Sequence, residues 1–166
     1  MPYILIVLTI IIRLLPHPFG VTPVGALGLF AGSYCNPKIA WAVPLIALAI
    51  GDLIGGGYNP VVFICVYAGF LGGPLLGRLL LARHRSVPRL IGATFGAAVI
   101  FFIVSNFGNW LAFYPPTLSG LIECYINGLP YFRTTLIGDL AYVGMLFGAA
   151  EAFKRHRQSR PAMADD

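Results

Sequence analysis

Long uncharged runs of hydrophobic residues recur along the chain and dominate its polarity pattern. The clearest runs are residues 39–51, 60–77, 90–111 and 134–150. They lack the strict alternation of apolar and polar residues that marks strands, so the pattern predicts helices. A helix needs about 20 mainly apolar residues to cross a bilayer core of roughly 30 Å. The chain is therefore predicted to cross a membrane several times.

Six helices and a polar tail are predicted. The helices lie at about 2–15, 21–35, 38–54, 60–82, 89–111 and 134–153, with an outer lid at 112–133. Residues 1–153 thus form a single transmembrane helical domain, and residues 154–166 form a basic cytoplasmic tail. The first two helices are short for a bilayer, so a tilted or partly re-entrant pair is expected. Gly-x-x-x-Gly spacings on helices two to six predict close packing, because small residues let helices approach in lipid.

The composition fits the same class. Of 166 residues, 58% are hydrophobic and 10% are charged, and the mean hydropathy is +0.82. Soluble domains carry about 25% charged residues. The predicted fold class is therefore an all-α membrane protein, a compact bundle of about six transmembrane helices.

Lys and Arg residues predict that both termini are cytoplasmic, following the positive-inside rule. They concentrate at residues 78–89 and 154–160, and two predicted crossings separate these clusters. Of all the Lys and Arg residues, only Arg13 and Arg133 lie on the predicted outer side of the membrane. The net charge of +5 is then a consequence of topology. Membrane lipid is a predicted partner, and nucleic acid is not.

The three predicted outer loops hold most of the chemically distinctive residues. They are residues 14–21, 52–60 and 109–133. Asn106 and Asn109, beside Trp110, share one face of a helix. An amide in or near a bilayer needs a hydrogen-bond partner, so the two side chains either bond to another helix or contact a ligand. Trp110 also suits the aromatic belt at a membrane interface.

A short amphipathic helix is predicted at 118–126, within the third outer loop. Thr117 can cap its start, and the Asn127-Gly128 pair and Pro130 can end it. It is either a lid over the mouth of the bundle, mobile because Pro and Gly flank it, or an ordinary interfacial helix.

Charged and reactive side chains complete the candidate set. Asp52 and Asp139 are predicted near the mouth, where Arg13 and Arg133 lie at similar depth, so the carboxylates either form structural ion pairs or orient a polar ligand. His17, between two prolines, is either a ligand-binding or metal-binding side chain or an ordinary residue of an interfacial loop. The three cysteines, Cys35, Cys65 and Cys124, are odd in number and lack ligand spacing, so no disulfide framework, metal site or cofactor is predicted.

The arrangement resembles the substrate-binding S component of energy-coupling-factor vitamin transporters, with six short helices and outer loops after helices one, three and five. The segment VPLIALAIGDLIGGGY is similar to the third-helix region of that group. The strings RLLPHPFGVTPVGALGLFAG, SNFGNW and YPPTLSGLIECYINGLPYF resemble a family of small bacterial membrane proteins of unassigned function. That second likeness covers most of residues 12–148.

The first likeness implies a small-molecule site closed by the three outer loops. Its implied residues are His17, Tyr58, Asn59, Asn106, Asn109 and Trp110, with Glu123, Cys124, Tyr125 and Asn127 of the lid. Asp52 and Asp139 join this set as charged groups near the mouth. If the solute is cobalamin, Cys124 and His17 are the candidates to face cobalt.

Taken together, the expected function is uptake of a small vitamin-like or micronutrient solute across a bacterial inner membrane. An energising transporter module is the implied partner, but the first helix, YILIVLTIIIRLL, lacks the Ala-x-x-x-Ala pattern on which S components dock. That departure favours a solitary mode. Two alternatives stay open, a non-catalytic structural or assembly subunit of a membrane complex and an integral-membrane enzyme acting on lipid.

Overall fold

The computed structural model describes residues 2–13, 22–56 and 59–159, which fold into six helices with short linkers. These are α1 (Pro2–Arg13), α2 (Val24–Tyr34), α3 (Pro37–Gly55), α4 (Pro60–Leu81), α5 (Val87–Phe113) and α6 (Leu118–Gln158). The described residues contain no strand, so the all-helical prediction is confirmed for them. His17 and Tyr58, both predicted site residues, lie outside the described residues, as does the side chain of Arg13.

Three of these helices, α4, α5 and α6, are long and apolar enough to cross a membrane. The described residues of α1 number 12, and α2 is shorter than predicted, with 11 residues. At about 1.5 Å per residue, each covers only about 17–18 Å of a core that is roughly 30 Å thick. The described residues of either helix are too few to cross a bilayer unaided. The count of six crossings and the cytoplasmic termini therefore stay predictions.

The short helix α2 is the centre of the fold. Every residue from 24 to 33 is buried, and α2 contacts each of the other five helices. A helix that is apolar on all sides fits such a position, since it has no face to present to water. Its three glycines explain how close the neighbours come.

Glycines of α2 and α4 bring the two backbones into direct contact. A Cβ added at Gly32 would lie 2.8 Å from the Cα of Pro74, and one added at Gly77 would lie 3.0 Å from the carbonyl carbon of Leu29. Such spacings exclude any side chain and give the dense packing by which helices associate in lipid. The Gly-x-x-x-Gly pair at Gly144 and Gly148 does not pack in this way, because an added Cβ would meet nothing within 4 Å at either position.

Side chains from α6 and from the α4–α5 linker bind the two ends of α2. At its N-terminus the buried carboxyl group of Asp139 accepts a hydrogen bond from the backbone N–H of Ala26. At its C-terminus the guanidinium of Arg85 donates to the carbonyl oxygen of Ser33 at 2.8 Å and lies 3.9 Å from the centre of the Tyr34 ring. A carboxyl group at the N-terminus and a cation at the C-terminus both complement the helix dipole.

The helices α5 and α6 form an antiparallel hairpin, joined at residues 114–117. Thr117 caps α6 as predicted, since its hydroxyl oxygen accepts a hydrogen bond from the N–H of Gly120 at 3.1 Å. The end of the bundle that holds this linker is called the hairpin end. The opposite end holds residues 82–86 and the last, basic turn of α6, and is called the basic end.

The prediction of a separate lid helix is wrong, because α6 continues unbroken from Leu118 to Gln158. Gly128 does not end the helix; it lets α6 approach α5, where an added Cβ would lie 3.0 Å from the Cγ of Asn106. A proline inside a helix removes one backbone hydrogen bond and crowds the carbonyl of the preceding turn, yet α6 continues through Pro130. The hydroxyl of Tyr125 donates to the carbonyl of Ile103 at 2.7 Å and ties the first turns of α6 to α5. The segment 112–133 is thus part of the hairpin.

The orientation of the bundle is testable with introduced cysteines. Native Cys124 is unsuited to this test because it is 2% exposed, and burial raises the pKa of the half-buried Cys35 thiol, which slows its reaction. In a cysteine-free background, Ser119→Cys at the hairpin end is expected to react with an impermeant thiol reagent in intact cells. Ser86→Cys at the basic end, where the serine is also exposed, is expected to react only after the cells are opened. The reverse pattern would overturn the orientation.

Candidate solute-binding cavity

A cavity of about 1090 Å³ opens at the hairpin end of the bundle. Both α4 and α6 pack along α5 there, while α2 begins near the middle of α4, where Gly25 contacts Gly73. The short α2 therefore fills only the basic half of the bundle. The space beyond its N-terminus is the cavity, and Leu48 and Asp52 of α3 border it.

The cavity wall is mainly apolar and aromatic, with a limited number of polar groups. The polar side chains among the described lining residues are Thr22, Asp52, Asn59, Ser105, Asn106, Asn109, Asn127 and Thr135. The aromatic ones are Phe70, Phe101, Phe102, Phe113, Tyr114, Tyr131 and Phe132. Concave, largely apolar sites with a few placed polar groups are typical of small-molecule pockets, whose volumes run from about 300 to 1,000 Å³.

Six of the predicted site residues come together in this cavity. They are Asp52, Asn59, Asn106, Asn109, Cys124 and Asn127. They originate from the end of α3, the start of α4, the last turns of α5 and the first turns of α6. Cys124 contributes little surface, since its thiol points at the carbonyl oxygen of Asn106 at 3.4 Å. The structure thus joins residues that are up to 75 positions apart in sequence.

Three predicted site residues near the hairpin lie elsewhere. Trp110 donates its indole N–H to the carbonyl of Pro115 at 3.0 Å and braces the α5–α6 linker. Tyr125 lies in a separate apolar groove with Phe107, and Glu123 is exposed. Successive helical residues point in different directions, so closeness in sequence to the asparagines does not bring these three into the cavity.

Asp139 also lies outside the cavity, one helical turn beyond Thr135. It is 3% exposed, at the N-terminus of α2. A Cβ added at Gly25 would meet the carboxyl carbon of Asp139 at 2.7 Å, so only glycine fits beside it. One carboxyl oxygen, Oδ1, has no hydrogen-bond partner among the described residues. The group is a cap for α2, whose own N-cap residue Pro23 offers no side-chain hydrogen bond. The placement of Asp139 at the mouth of the bundle is wrong.

The three cavity asparagines on α5 and α6 share one bonding pattern. The side-chain nitrogen of Asn106 donates to the carbonyl of Phe102 at 2.8 Å, and that of Asn109 donates to the carbonyl of Ser105 at 3.0 Å. The nitrogen of Asn127 donates to the hydroxyl of Tyr114 at 3.3 Å. The sequence left open whether Asn106 and Asn109 bond between helices or contact a ligand. In the structure, neither side-chain amide bonds to a different helix. Both bond to their own.

The polar groups of α3 and α4 have structural partners as well. Asn59 caps α4, since its side-chain oxygen accepts from the N–H of Val61 at 2.9 Å. The hydroxyl of Tyr67 donates to Asp52 at 2.9 Å and links α4 to α3 beside the cavity. Arg133 is exposed, and the ion pairs found among the described residues do not join it to Asp52 or Asp139.

Several lining residues escape sequence reasoning. Ser105 lies one turn before Asn109, so its position on the amide face was visible in the helical spacing. Thr22, Phe70 and Phe101 gave no such signal, because they join the cavity only through the packing of three separate segments of the chain. Within the described residues, no three His, Cys, Asp or Glu side chains are grouped so as to hold a metal ion.

Comparison with known proteins places the chain without assigning an activity. A family model described as a family of unknown function, DUF6580, matches residues 1–162. No curated protein and no solved structure matches the chain significantly. With nearly the whole chain covered, this protein belongs to the DUF6580 family.

Proposed function

We propose that this protein captures a small vitamin-like solute at the outer face of a bacterial inner membrane and mediates its uptake. The observation that carries the proposal is the cavity of about 1090 Å³ at the hairpin end, lined by asparagines and aromatic rings. A purely structural subunit has no need of such a space, since bundles of this kind otherwise pack to the density of organic crystals.

Charge supports the orientation that uptake requires. The clusters at 78–89 and 154–160 carry most of the Lys and Arg residues, and the helices bring both to the basic end. Under the positive-inside rule this end faces the cytoplasm, so the cavity faces outward. In this proposal α3 also crosses, and α1 and α2 account for the first two of six crossings, with both termini inside.

The S-component type of uptake agrees with this arrangement, in which a site at the outer end lies above a closely packed inner half. The apolar α1 bears no small-residue docking pattern and exposes large side chains such as Ile4 and Ile11. These suit contact with lipid. We therefore favour a solitary mode over permanent attachment to an energising module. The lack of a metal-binding group among the described residues gives the lipid-enzyme alternative no support.

The proposal is tested by the small molecules that the gently purified protein retains. Wild-type protein is expected to release one predominant solute on denaturation, identified by mass spectrometry. Asn109→Leu replaces a cavity amide by an apolar side chain of similar size and is expected to reduce the retained amount at least about tenfold, as one lost buried hydrogen bond to a polar ligand predicts.

Trp110→Phe is the matched control, because its indole contacts Pro115 and not the cavity. It is expected to retain the solute at the wild-type level. A wild-type protein that releases only lipid and detergent, and that purifies solely in fixed ratio with other proteins, would favour the structural-subunit alternative instead.

A further inference from the structure

The last turns of α6 project beyond the basic end of the bundle. Phe147 is buried, with its ring 5.8 Å from that of Tyr34, and the guanidinium of Arg85 in the α4–α5 linker lies over the same Tyr34 ring. Phe147 is therefore level with that linker. The helix continues through residues 148–158, about 16 Å further at about 1.5 Å per residue. Every residue from 151 to 158 is exposed.

This projection extends past the layer of lipid headgroups. The linker at residues 82–86 holds two Arg residues and a His, so it lies at or beyond the edge of the hydrocarbon core. The headgroup layer adds about 5–7 Å on each side of that core. Phe153, Lys154 and Arg157 lie about 9–15 Å past Phe147 along the helix. In the orientation proposed above, these three residues are in the cytoplasm.

One face of the projection combines an aromatic ring with two cations. Phe153, Lys154 and Arg157 form this projecting face, because positions three and four apart are neighbours on a helix. Phe153 is 44% exposed, at a distance from the core where acyl chains do not cover it. Arg155 points to another side of the helix, where it pairs with Glu151 at 3.5 Å.

The composition of the projection fits a protein surface better than nucleic acid. Residues 151–158 hold three Lys or Arg residues against one Glu, and one of the three is already paired with that Glu. Binding through phosphate contacts grows with the number of phosphates neutralised, and two remaining cations offer few. Aromatic and Arg side chains are enriched at protein–protein interfaces, where charges of opposite sign face each other.

We propose that the projecting face docks reversibly on a cytoplasmic protein that presents an apolar pocket rimmed by Asp or Glu residues. Phe153 enters the pocket, and Lys154 and Arg157 pair with the carboxylates. One ring and two exposed ion pairs give a weak, salt-sensitive contact, in agreement with a protein that is not permanently attached to an energising module. This docking rests on the orientation in the proposed function and is independent of the solute.

Photo-cross-linking in intact cells tests the docking. The full-length protein carries p-benzoylphenylalanine in place of Phe153 or, as a control, in place of Met145, which is exposed on the part of α6 that faces lipid. Position 153 is expected to give one predominant protein adduct, with Asp or Glu residues in the cross-linked peptide of the partner, and position 145 is expected to give lipid adducts. At position 153, adducts with lipid, RNA or a second copy of this chain alone, or no adduct, would overturn the proposal.

The cross-linked protein, once purified, separates a specific contact from chance proximity. Its binding to the full-length protein in phosphatidylcholine nanodiscs is expected to weaken about fivefold between about 0.05 M and 0.5 M salt. Phe153→Ala should weaken binding about tenfold, and Lys154→Gln and Arg157→Gln about threefold each. Arg155→Gln removes the same charge from another side of the helix and should leave binding unchanged.

Binding that is insensitive to salt, or that falls equally in Arg155→Gln and Lys154→Gln, would contradict docking through the projecting face. The amount of solute that the protein retains is expected to be the same in all four variants. Docking and solute binding therefore succeed or fail separately.

Discussion

Gly32→Ala is expected to prevent stable assembly of the bundle, although it adds a single methyl group. The added Cβ would lie 2.8 Å from the Cα of Pro74, where the neighbour is backbone and cannot rotate away. Overpacking a dense core costs about 1–3 kcal/mol, and contact with backbone places this site at the upper end. The unfolding temperature in detergent, or the fraction of monodisperse protein in size-exclusion chromatography, reports the loss.

Gly144→Ala is the matched control for that experiment. It has the same chemistry and lies in a helix, but an added Cβ at Gly144 would meet nothing within 4 Å. Alanine also favours helix over glycine, so unfolding should be unchanged or slightly delayed. Equal stability of the two variants would show that α2 does not pack against α4 as described.

Asp139→Ala is the second substitution with a large expected effect. It removes the acceptor that binds the backbone N–H of Ala26 and the group that complements the α2 dipole. Losing an N-cap costs about 0.5–2 kcal/mol and losing a partly buried dipole partner costs up to about 2 kcal/mol. A loss of about 2–3 kcal/mol in the free energy of unfolding is therefore expected.

Asp139→Asn provides the matched comparison, since it keeps an oxygen acceptor of the same reach and removes the ionisable group. It is expected to recover at least half of the stability lost in Asp139→Ala, as measured by denaturant titration in mixed micelles. An alanine variant as stable as the wild type, or more stable, would mean that the carboxyl group is a net cost in its buried position and does not stabilise α2.

The sequence predicts best those elements whose signals are local. Residues 60–81 and 87–113 are long apolar runs, so their helices are visible by length alone. Thr117 precedes a helical stripe and caps α6 as expected. The spacing of Asn106 and Asn109 places both amides on one face, and both line the cavity. Each of these inferences uses neighbours within one or two helical turns.

What sequence reasoning missed depends on packing between distant segments. Pro130 and the Asn127-Gly128 pair normally end a helix, but contacts between α6 and α5 outweigh the lost hydrogen bond and the crowding that an interior proline causes. Asp139 is predicted near the mouth because it lies within two turns of residue 134, where the predicted sixth helix begins, and an ionisable group in lipid is costly. That cost is offset by contact with the N-terminus of the short helix α2. Nothing in the residues around position 139 reveals that α2 begins beside Asp139.

The proposed function depends on a solute-filled cavity at the hairpin end. An experimental density map of the protein in lipid bilayers tests for that cavity most directly. The expected result is a compact, non-lipid density at the hairpin end, within hydrogen-bonding distance of the Asn109 and Asn127 side chains. A map in which α4 and α6 close over α5 and leave no space, or in which an acyl chain entering from the bilayer fills that space, would contradict it.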